Sequence, residues 1–220
     1  MSDRGSDPFD RALVRSRLEQ GLGALFPHPS AATLDALLRL VELLAQWAPR
    51  MNLTGHRDPL EMTERLVLDA AALVQALPEL STAPDLADLG SGAGFPGLPI
   101  AILCPAVQVY LVESRQKRHH FQREVRRQLG LENAHPVLGR SERVEPHPSA
   151  VVVAQAMMKP EQALAQMRPW LRPGGIMVLP ATADALPPKV EEPLCVERRR
   201  YRVPLSQLDR QLWIVRPSPS

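Results

Sequence analysis

Four glycines and two acidic residues near the middle of this chain have the spacing of a turn that binds a nucleotide. The glycines are Gly90, Gly92, Gly94 and Gly97. Glycine adopts positive φ angles without strain and lets a ligand approach the backbone closely, as a ligand-binding turn requires. A short apolar segment containing Asp88 precedes the glycines, and a second apolar segment ends at Glu113. Because βαβ units place a ribose-binding acid about twenty residues beyond the first glycines, the pattern predicts a bound adenosine group.

Two classes of cofactor are compatible with this turn. The glycine spacing over 92–97 matches the G-x-G-x-x-G fingerprint of dinucleotides, whose pyrophosphate lies at a helix N-terminus. S-adenosylmethionine is favoured because Asp88 would attract a cationic methionine group but repel a pyrophosphate. Pro96 and Pro99 also delay the helix and remove amide donors, and a long helical segment precedes the motif. A glycine-rich strand-to-helix turn with no ligand remains a third interpretation.

The elements around the turn alternate between strands and helices, as in an α/β fold. Strands are predicted near 85–89, 107–112, 134–138, 149–154, 175–180, 195–203 and 210–216. Helices are predicted near 97–103, 115–129, 160–171 and 183–192. No helix separates the last two strands, so they should form an antiparallel hairpin at the sheet edge. A doubly wound sheet of seven strands with a C-terminal hairpin favours a methyltransferase over a dehydrogenase.

The first third of the chain is predicted to be helical. Apolar residues recur at helical spacing from Asp10 to Leu77, which predicts helices near 9–25, 31–47 and 58–77. Asp58 followed by Pro59 is a typical helix start. We therefore divide the chain into an N-terminal helical extension, 1–80, and a methyltransferase domain, 81–220.

The composition excludes several classes of protein. Hydrophobic residues make up 45% and charged residues 23%, which is typical of a globular protein, and no apolar run reaches membrane-spanning length. The N-terminus lacks the regions of a signal peptide, so a cytoplasmic location is expected. Cys104 and Cys195 lack metal-ligand spacing, and no metal site is predicted. Aromatic residues make up only 4%, which argues against a base-stacking platform of the single-strand-binding type.

The segment from Asp88 to Ile100 closely resembles the cofactor loop of the ribosomal RNA small-subunit methyltransferase G family, also called glucose-inhibited division protein B. The resemblance covers about 35–216 and includes 47–54, 112–118, 139–142, 171–175, 201–204 and 210–215. Members of that family methylate N7 of a guanine in bacterial 16S rRNA with S-adenosylmethionine. The resemblance implies a class I S-adenosylmethionine-dependent methyltransferase whose partner is 16S rRNA or the small ribosomal subunit.

The candidate cofactor-binding residues follow the strand ends. They are Gly90, Gly92, Gly94, Phe95, Glu113, Ser141 and Glu142. The glycines and Phe95 are expected to surround the methionine and ribose groups, and Glu113 to accept hydrogen bonds from the ribose hydroxyls. By resemblance, a backbone amide of Ser141 or Glu142 reads the adenine edge. The alternative for Ser141 is a helix N-cap.

Basic residues after the second strand are the candidate RNA contacts. Arg115, Lys117 and Arg118 begin a predicted helix and would neutralise phosphates, although a helix that covers a sheet also exposes a charged face. No catalytic residue is assigned, because guanine N7 has a free lone pair and no proton to remove, so alignment supplies most of the catalysis. Asp88 and Asp69 are candidates to stabilise positive charge; structural caps are the alternative.

The chain departs from the family pattern at several positions. Gln155 stands where relatives carry an arginine, and Pro180 where they carry a lysine. Leu66 and Ala70 replace a customary histidine and serine. These changes support an alternative function, a homologue that keeps the cofactor fold, has weakened or lost catalysis and binds RNA or protein. A nucleotide-dependent oxidoreductase is the third possibility.

Overall fold

The computed structural model describes residues 9–154, 159–191 and 193–217, and its centre is a seven-stranded sheet. The strands are β1 (Asp85–Leu89), β2 (Gln108–Glu113), β3 (Ala134–Leu138), β4 (Ser149–Ala154), β5 (Leu171–Thr182), β6 (Leu194–Arg202) and β7 (Asp209–Pro217). Their order is β3-β2-β1-β4-β5-β7-β6. The first five strands run parallel, and β7 pairs antiparallel with both β5 and β6. The predicted α/β sheet of seven strands and its terminal hairpin are confirmed.

Helices cover both faces of the sheet. They are α1 (Arg11–Gly23), α2 (Ala31–Met51), α3 (Pro59–Met62), a π-helical segment (Thr63–Leu68), α4 (Asp69–Ala76), α5 (Glu79–Thr82), α6 (Gly97–Leu103), α7 (Gln116–Leu129), α8 (Pro160–Met167) and a 3-10 turn (Arg168–Trp170). The helices before β1, together with α6 and α7, bury one apolar cluster with sheet residues such as Leu86 and Leu111. On the opposite face, Leu164 and Trp170 lie in a second cluster with Val152.

The helical segment before the sheet begins its helices as the sequence predicts. Ser30 accepts a hydrogen bond from the Thr33 N–H at the start of α2, and Asp58 accepts one from Leu60 at the start of α3. These side chains pair backbone donors that have no partner within the helix. No helix in the described part of the chain is long and apolar enough to cross a membrane. The division at residue 80 stays a prediction.

One predicted helix is wrong. Residues 183–184 form a turn and 185–191 have no regular secondary structure, in contrast to the helix expected over 183–192. Pro187 and Pro188 supply no N–H, and proline disfavours helical geometry in the residue before it. The Ala185 carbonyl instead accepts a hydrogen bond of 2.6 Å from the buried Gln211 side chain. The segment is therefore fixed by β7.

The strand register brings the predicted site residues to one edge of the sheet. Leu89, the last residue of β1, pairs with Val112 of β2 and with Ala154 of β4. Glu113 pairs with Leu138 at the end of β3. Because these strands are parallel, the residues that follow each of them emerge at the same carboxyl edge, where ligands bind in open α/β sheets.

Candidate active site

The turn after β1 depends on glycine. Gly90, Gly92 and Gly94 have φ angles of 70°, 58° and 91°, values that other residues rarely adopt. The Gly90 N–H donates to the Val112 carbonyl at 2.8 Å, which fixes the turn to the end of β2. A Cβ atom on Gly94 would overlap the side chain of Leu98. The turn is therefore a defined backbone surface at the carboxyl edge.

The Asp88 side chain holds this turn through a buried hydrogen bond. Its side chain is 1% exposed, and its Oδ2 accepts a hydrogen bond of 3.0 Å from the Gly97 N–H at the first residue of α6. Burial raises the pKa of Asp88 to about 7, and the negative charge of Glu113 adds to the rise. Asp88 thus contacts the loop backbone, and its role in attracting a cationic cofactor stays a prediction.

Gln122 also holds the turn, and the sequence pattern did not predict this role. Its fully buried side chain donates from Nε2 to Ser91 Oγ and to the Gly92 carbonyl, both at 2.8 Å. Gln122 lies on the buried side of α7 with Phe121 and Val125. The sequence offers one signal of this contact, which is a polar residue next to the apolar residues on the buried side of the helix. It indicates a buried hydrogen bond, although not its partner.

The Glu113 carboxylate contacts residues at the start of α7. Its Oε1 accepts a hydrogen bond of 2.7 Å from the Arg115 N–H, and its Oε2 lies 3.8 Å from Nη1 of Arg118. Ser114 Oγ also donates to Oε1 at 3.4 Å, and these three partners hold the carboxylate, which is 4% exposed. A carboxylate oxygen accepts about two hydrogen bonds, so Oε2, which contacts Arg118 at 3.8 Å, retains a lone pair for a ligand hydroxyl. Ribose binding by Glu113 stays a prediction.

Two adjoining cavities form a groove across the carboxyl edge. Both are lined by Gly90, Ser141 and Gln166. The smaller, of about 130 Å³, is also lined by Val112, Ser114, Gly139, Arg140 and Glu142. The larger, of about 240 Å³, continues between α8 and β5 and is also lined by Leu89, Ala154, Pro160, Ala163, Leu179, Pro180, Ala181, Thr182, Ala185, Leu186 and Trp213. We call this space the edge groove.

The loop after β3 forms one wall of the edge groove. The buried Trp170 indole donates to the Ser141 carbonyl at 3.1 Å, and Ser141 Oγ donates to Gln166 at 3.0 Å. These contacts join the loop to α8 and to the 3-10 turn that follows it. Residues 141–144 form turns and a bend, so the alternative of a helix capped by Ser141 is wrong. The structure brings Ser141 and Glu142 to the same groove as Gly90.

A buried network lies at the other end of the glycine loop. The Tyr201 hydroxyl donates to Asp69 Oδ1 at 2.8 Å, and Arg210 Nη2 lies 3.2 Å from Asp69 Oδ2. Burial raises the pKa of Asp69, although the charge of Arg210 and the Tyr201 hydrogen bond oppose the rise. A cavity of about 20 Å³ is lined by Asp69 and Tyr201 together with Phe95 and Pro180. The network therefore joins the helical segment to the hairpin beside the loop.

The basic residues predicted to bind RNA lie beside the glycine turn. Arg115 and Lys117 are exposed at the start of α7. Arg118 is partly buried, and its Nη1 lies 3.9 Å from the position that a Cβ on Gly92 would occupy. Gln155, where the family resemblance implies an arginine, lies outside the described residues. Pro180 lines both the edge groove and the small cavity beside Phe95.

Within 9–154, 159–191 and 193–217, no group of three or more His, Cys, Asp or Glu side chains could hold a metal ion. Cys104 is buried in the helical face, and burial raises the pKa of its thiol.

The strand order, the glycine turn and the antiparallel hairpin together define the fold of class I S-adenosylmethionine-dependent methyltransferases. Solved structures agree at the level of fold. The putative methyltransferase yhhF from Escherichia coli matches with a TM-score of 0.53 and 15% identity over 68% of this chain and 86% of that chain. A SAM-dependent methyltransferase from Aquifex aeolicus matches with a TM-score of 0.50 and 15% identity over 70% and 92%.

The family is established by sequence. The family model described as rRNA small subunit methyltransferase G matches residues 33–185. Proteins named ribosomal RNA small subunit methyltransferase G are similar over most of their length. The Stenotrophomonas maltophilia protein is 42% identical over 76% of each chain, and the Myxococcus xanthus protein is 35% identical over 93% of this chain and 97% of its own. This chain belongs to the rRNA small subunit methyltransferase G family.

Proposed function

We propose that this protein transfers the methyl group of S-adenosylmethionine to N7 of a guanine in 16S ribosomal RNA. The observation that carries the proposal is the glycine turn, held at the carboxyl edge between Glu113 and the 139–142 loop, in a chain that belongs to this family. Because ribosomal RNA is the proposed substrate, we place the activity in the cytoplasm.

The residues present fit the cofactor. Three positive-φ glycines expose backbone without side chains, and Glu113 offers carboxylate lone pairs at the end of β2. Ser141 and Glu142 line the smaller cavity, where the adenine would lie. We assign Gly90, Gly92, Gly94 and Phe95 to the methionine and ribose groups. When bound, S-adenosylmethionine supplies an electrophilic methyl group on a cationic sulfur.

The chain's own contribution is alignment and exclusion of water. Guanine N7 needs no general base, so the protein accelerates transfer mainly by holding N7, the methyl carbon and sulfur in line. Leu89, Leu179 and Trp213 make the larger cavity of the edge groove mainly apolar, which keeps water from the reacting atoms. We assign to Arg115, Lys117 and Arg118, at the start of α7, the role of neutralising RNA phosphates.

Two measurements test the proposal. Purified protein with labelled S-adenosylmethionine should methylate protein-free 16S rRNA or intact small subunits, and mass spectrometry should map the label to N7 of a guanine. Calorimetry should show binding of S-adenosylmethionine or its demethylated product, with at least tenfold weaker binding in Glu113→Ala. The matched control, Glu145→Ala, removes an exposed carboxylate that lines neither cavity. Binding of NADH in place of the methyl donor would refute the assignment.

The position of the adenine needs its own test. We place it against the 139–142 loop, where a backbone amide of Ser141 or Glu142 reads its edge. Because a backbone group would do the reading, Glu142→Ala should change cofactor affinity less than Glu113→Ala. A crystal structure of the cofactor complex with the adenine more than one side chain away from this loop would rule the assignment out.

The alternative function rests on Pro180. This residue lines the edge groove at a point where the family resemblance implies a lysine, and a proline offers no cation to a phosphate. A homologue with weak catalysis would bind the cofactor normally and methylate small-subunit RNA slowly. The rate in the methylation assay therefore separates this alternative from the main proposal.

A further inference from the structure

We infer that a second surface, between the end of α2 and the exposed face of α7, binds looped or single-stranded RNA and holds the substrate beside the methyl-transfer site. The inference rests on the proposed function. Two adjoining cavities that share His120 form this surface, which we call the α2–α7 groove. One, of about 670 Å³, is lined by Gln46, Trp47, Arg50, Met51 and His120. The other, of about 390 Å³, is lined by His120, Arg123, Glu124, Arg126, Arg127, Gly130, Leu131 and Glu132.

The α2–α7 groove concentrates positive charge. Four arginines line it against two glutamates, although the whole chain has a net charge of only +2. One glutamate, Glu124, is held by Arg127 at 2.6 Å. The exposed guanidinium groups of Arg50, Arg123 and Arg126 form no ion pair with a carboxylate of the described residues. Unpaired arginines at the rim of a groove favour a polyanion, since each can release a counterion from a phosphate.

An aromatic ring in the α2–α7 groove favours nucleic acid over an acidic protein. The Trp47 indole is half-buried, 5.5 Å from the His120 ring and 5.7 Å from the Phe121 ring. The two contacts fix its orientation while part of its surface lines the larger cavity. An unstacked base can lie against such a ring while its phosphates contact arginines, which is how looped and single-stranded RNA is bound. The low aromatic content argues against a platform of several rings, whereas the α2–α7 groove needs only a single ring.

Helix α7 connects the α2–α7 groove to the glycine turn. Lys117, His120, Arg123 and Arg127 follow one another at spacings of three or four residues, so they form one exposed stripe along α7. The stripe begins at Lys117, between Arg115 and Arg118, both of which contact Glu113 next to the glycine turn. On the buried side of the same helix, Gln122 donates to Ser91 and Gly92. RNA bound along the stripe therefore leads toward the edge groove.

Single substitutions test the surface. Arg50→Gln and Arg123→Gln should each weaken binding of protein-free 16S rRNA severalfold at 0.15 M salt. Each should also reduce the slope of log affinity against log salt by about 0.7, the value for one single-strand phosphate contact. Arg168→Gln is the matched control, because Arg168 is exposed on the opposite face of the sheet. The control should leave RNA binding unchanged, and calorimetry should show unchanged S-adenosylmethionine binding in all three variants.

The aromatic contact needs a separate readout. RNA substituted with 4-thiouridine and irradiated in the complex should crosslink to peptides that contain 46–51 or 116–127. Trp47→Leu keeps an apolar side chain against Phe121 but removes the ring, so it should reduce both the crosslink and RNA affinity by about tenfold. Far-UV circular dichroism and thermal unfolding check that the variant is folded. If Trp47→Leu does not fold, the crosslink in wild-type protein decides.

The outcomes separate this inference from the proposed function. Unchanged RNA affinity and salt slope in Arg50→Gln and Arg123→Gln, in protein that methylates RNA, would overturn the groove and leave the function intact. Weaker RNA binding in both variants, in protein that methylates no RNA, would support the groove and refute the function. Competition by polyglutamate at the same concentration of negative charge as RNA would also overturn the groove, because it would show an unspecific polyanion surface.

Discussion

The two halves of the carboxyl edge are built in different ways. In the first half, around β1 to β3, the loop contacts join residues that are near in sequence. Gly97 and Asp88 are 9 residues apart, and Gln122 and Ser91 are 31 residues apart. In the second half, between the helical segment and the hairpin, the contacts span the chain.

The side chains of the second half meet over far longer separations. Tyr201 and Asp69 are 132 residues apart, and Arg199 and Glu79, which form a bidentate pair at 2.7 Å, are 120 residues apart. The first half thus presents a backbone surface whose geometry follows from local glycine chemistry. The second half becomes a site only when distant elements dock. Pro180, one of the departures from the pattern that the resemblance implies, lines the small cavity of the second half together with Asp69 and Tyr201.

The largest expected effect comes from a substitution in the glycine turn of the first half. Gly94→Ala places a Cβ at a φ of 91° and against Leu98, so we expect a loss of about 3–5 kcal/mol in the free energy of unfolding and no detectable S-adenosylmethionine binding. Gly130→Ala is the matched control, since Gly130 also has a positive φ but has open space around its Cβ position, and it should cost about 1 kcal/mol. Urea unfolding and calorimetry measure both. Equal costs for the two variants would contradict a sterically defined turn.

The second prediction uses the protonation state of Asp88 to test what stabilises the first half. Its pKa is about 7 in the folded protein and ordinary in the unfolded chain, so the folded state binds a proton that the unfolded state has lost between about pH 4 and pH 7. Wild-type stability that is fully present below pH 4 should therefore fall as pH rises to 7. Asp88→Asn keeps an oxygen for the Gly97 N–H and should gain on the order of 4 kcal/mol relative to wild type by the upper end of that window. Parallel stability curves from pH 4 to 8 would show that Asp88 is not protonated in the folded state.

The third prediction tests whether the departures at Gln155 and Pro180, the second of which lies in the second half, weaken substrate anchoring. Gln155→Arg with Pro180→Lys should raise methyl transfer to small-subunit RNA by about one to two decades, because each charged hydrogen bond contributes roughly 1.5–3 kcal/mol. Initial rates with labelled cofactor measure it, with cofactor affinity as the internal control. Wild-type rates typical of relatives would show that another basic group holds the RNA, and Arg115, Lys117 and Arg118 are the candidates.

The smallest effect concerns the network that joins the helical segment to the hairpin. Tyr201→Phe removes the donor to Asp69 and should lower the free energy of unfolding by about 1–2 kcal/mol. The protein's other tyrosine supplies the control: the Tyr110 ring stacks on His147 at 3.8 Å, and its hydroxyl has no hydrogen bond to the residues that the structure describes. Tyr110→Phe should therefore unfold as the wild type does. If Tyr201→Phe also unfolds like wild type, the network does not stabilise the docking of the hairpin.

Much of the fold was predictable because its signals are local. The glycines after β1 and the absence of a helix between β6 and β7 follow from backbone chemistry and spacing, and both are confirmed. The helix expected over 183–192 does not form, because two consecutive prolines interrupt its apolar pattern. In addition, Gln211, from a distant strand, binds the Ala185 carbonyl. Periodicity carries no information about such a partner.

The sequence by itself determined the family, the glycine turn and the residues that gather at the carboxyl edge, because parallel strands bring their ends together whatever covers them. The tertiary structure alone decided that Gln122 ties α7 to the turn and that Asp69 meets Tyr201 and Arg210. It also decided that Trp47 and His120 meet to form the α2–α7 groove. The physical reason is that a side chain's partner across the fold depends on how helices and strands dock, and docking is set by the shape of the whole apolar core rather than by neighbours in the chain.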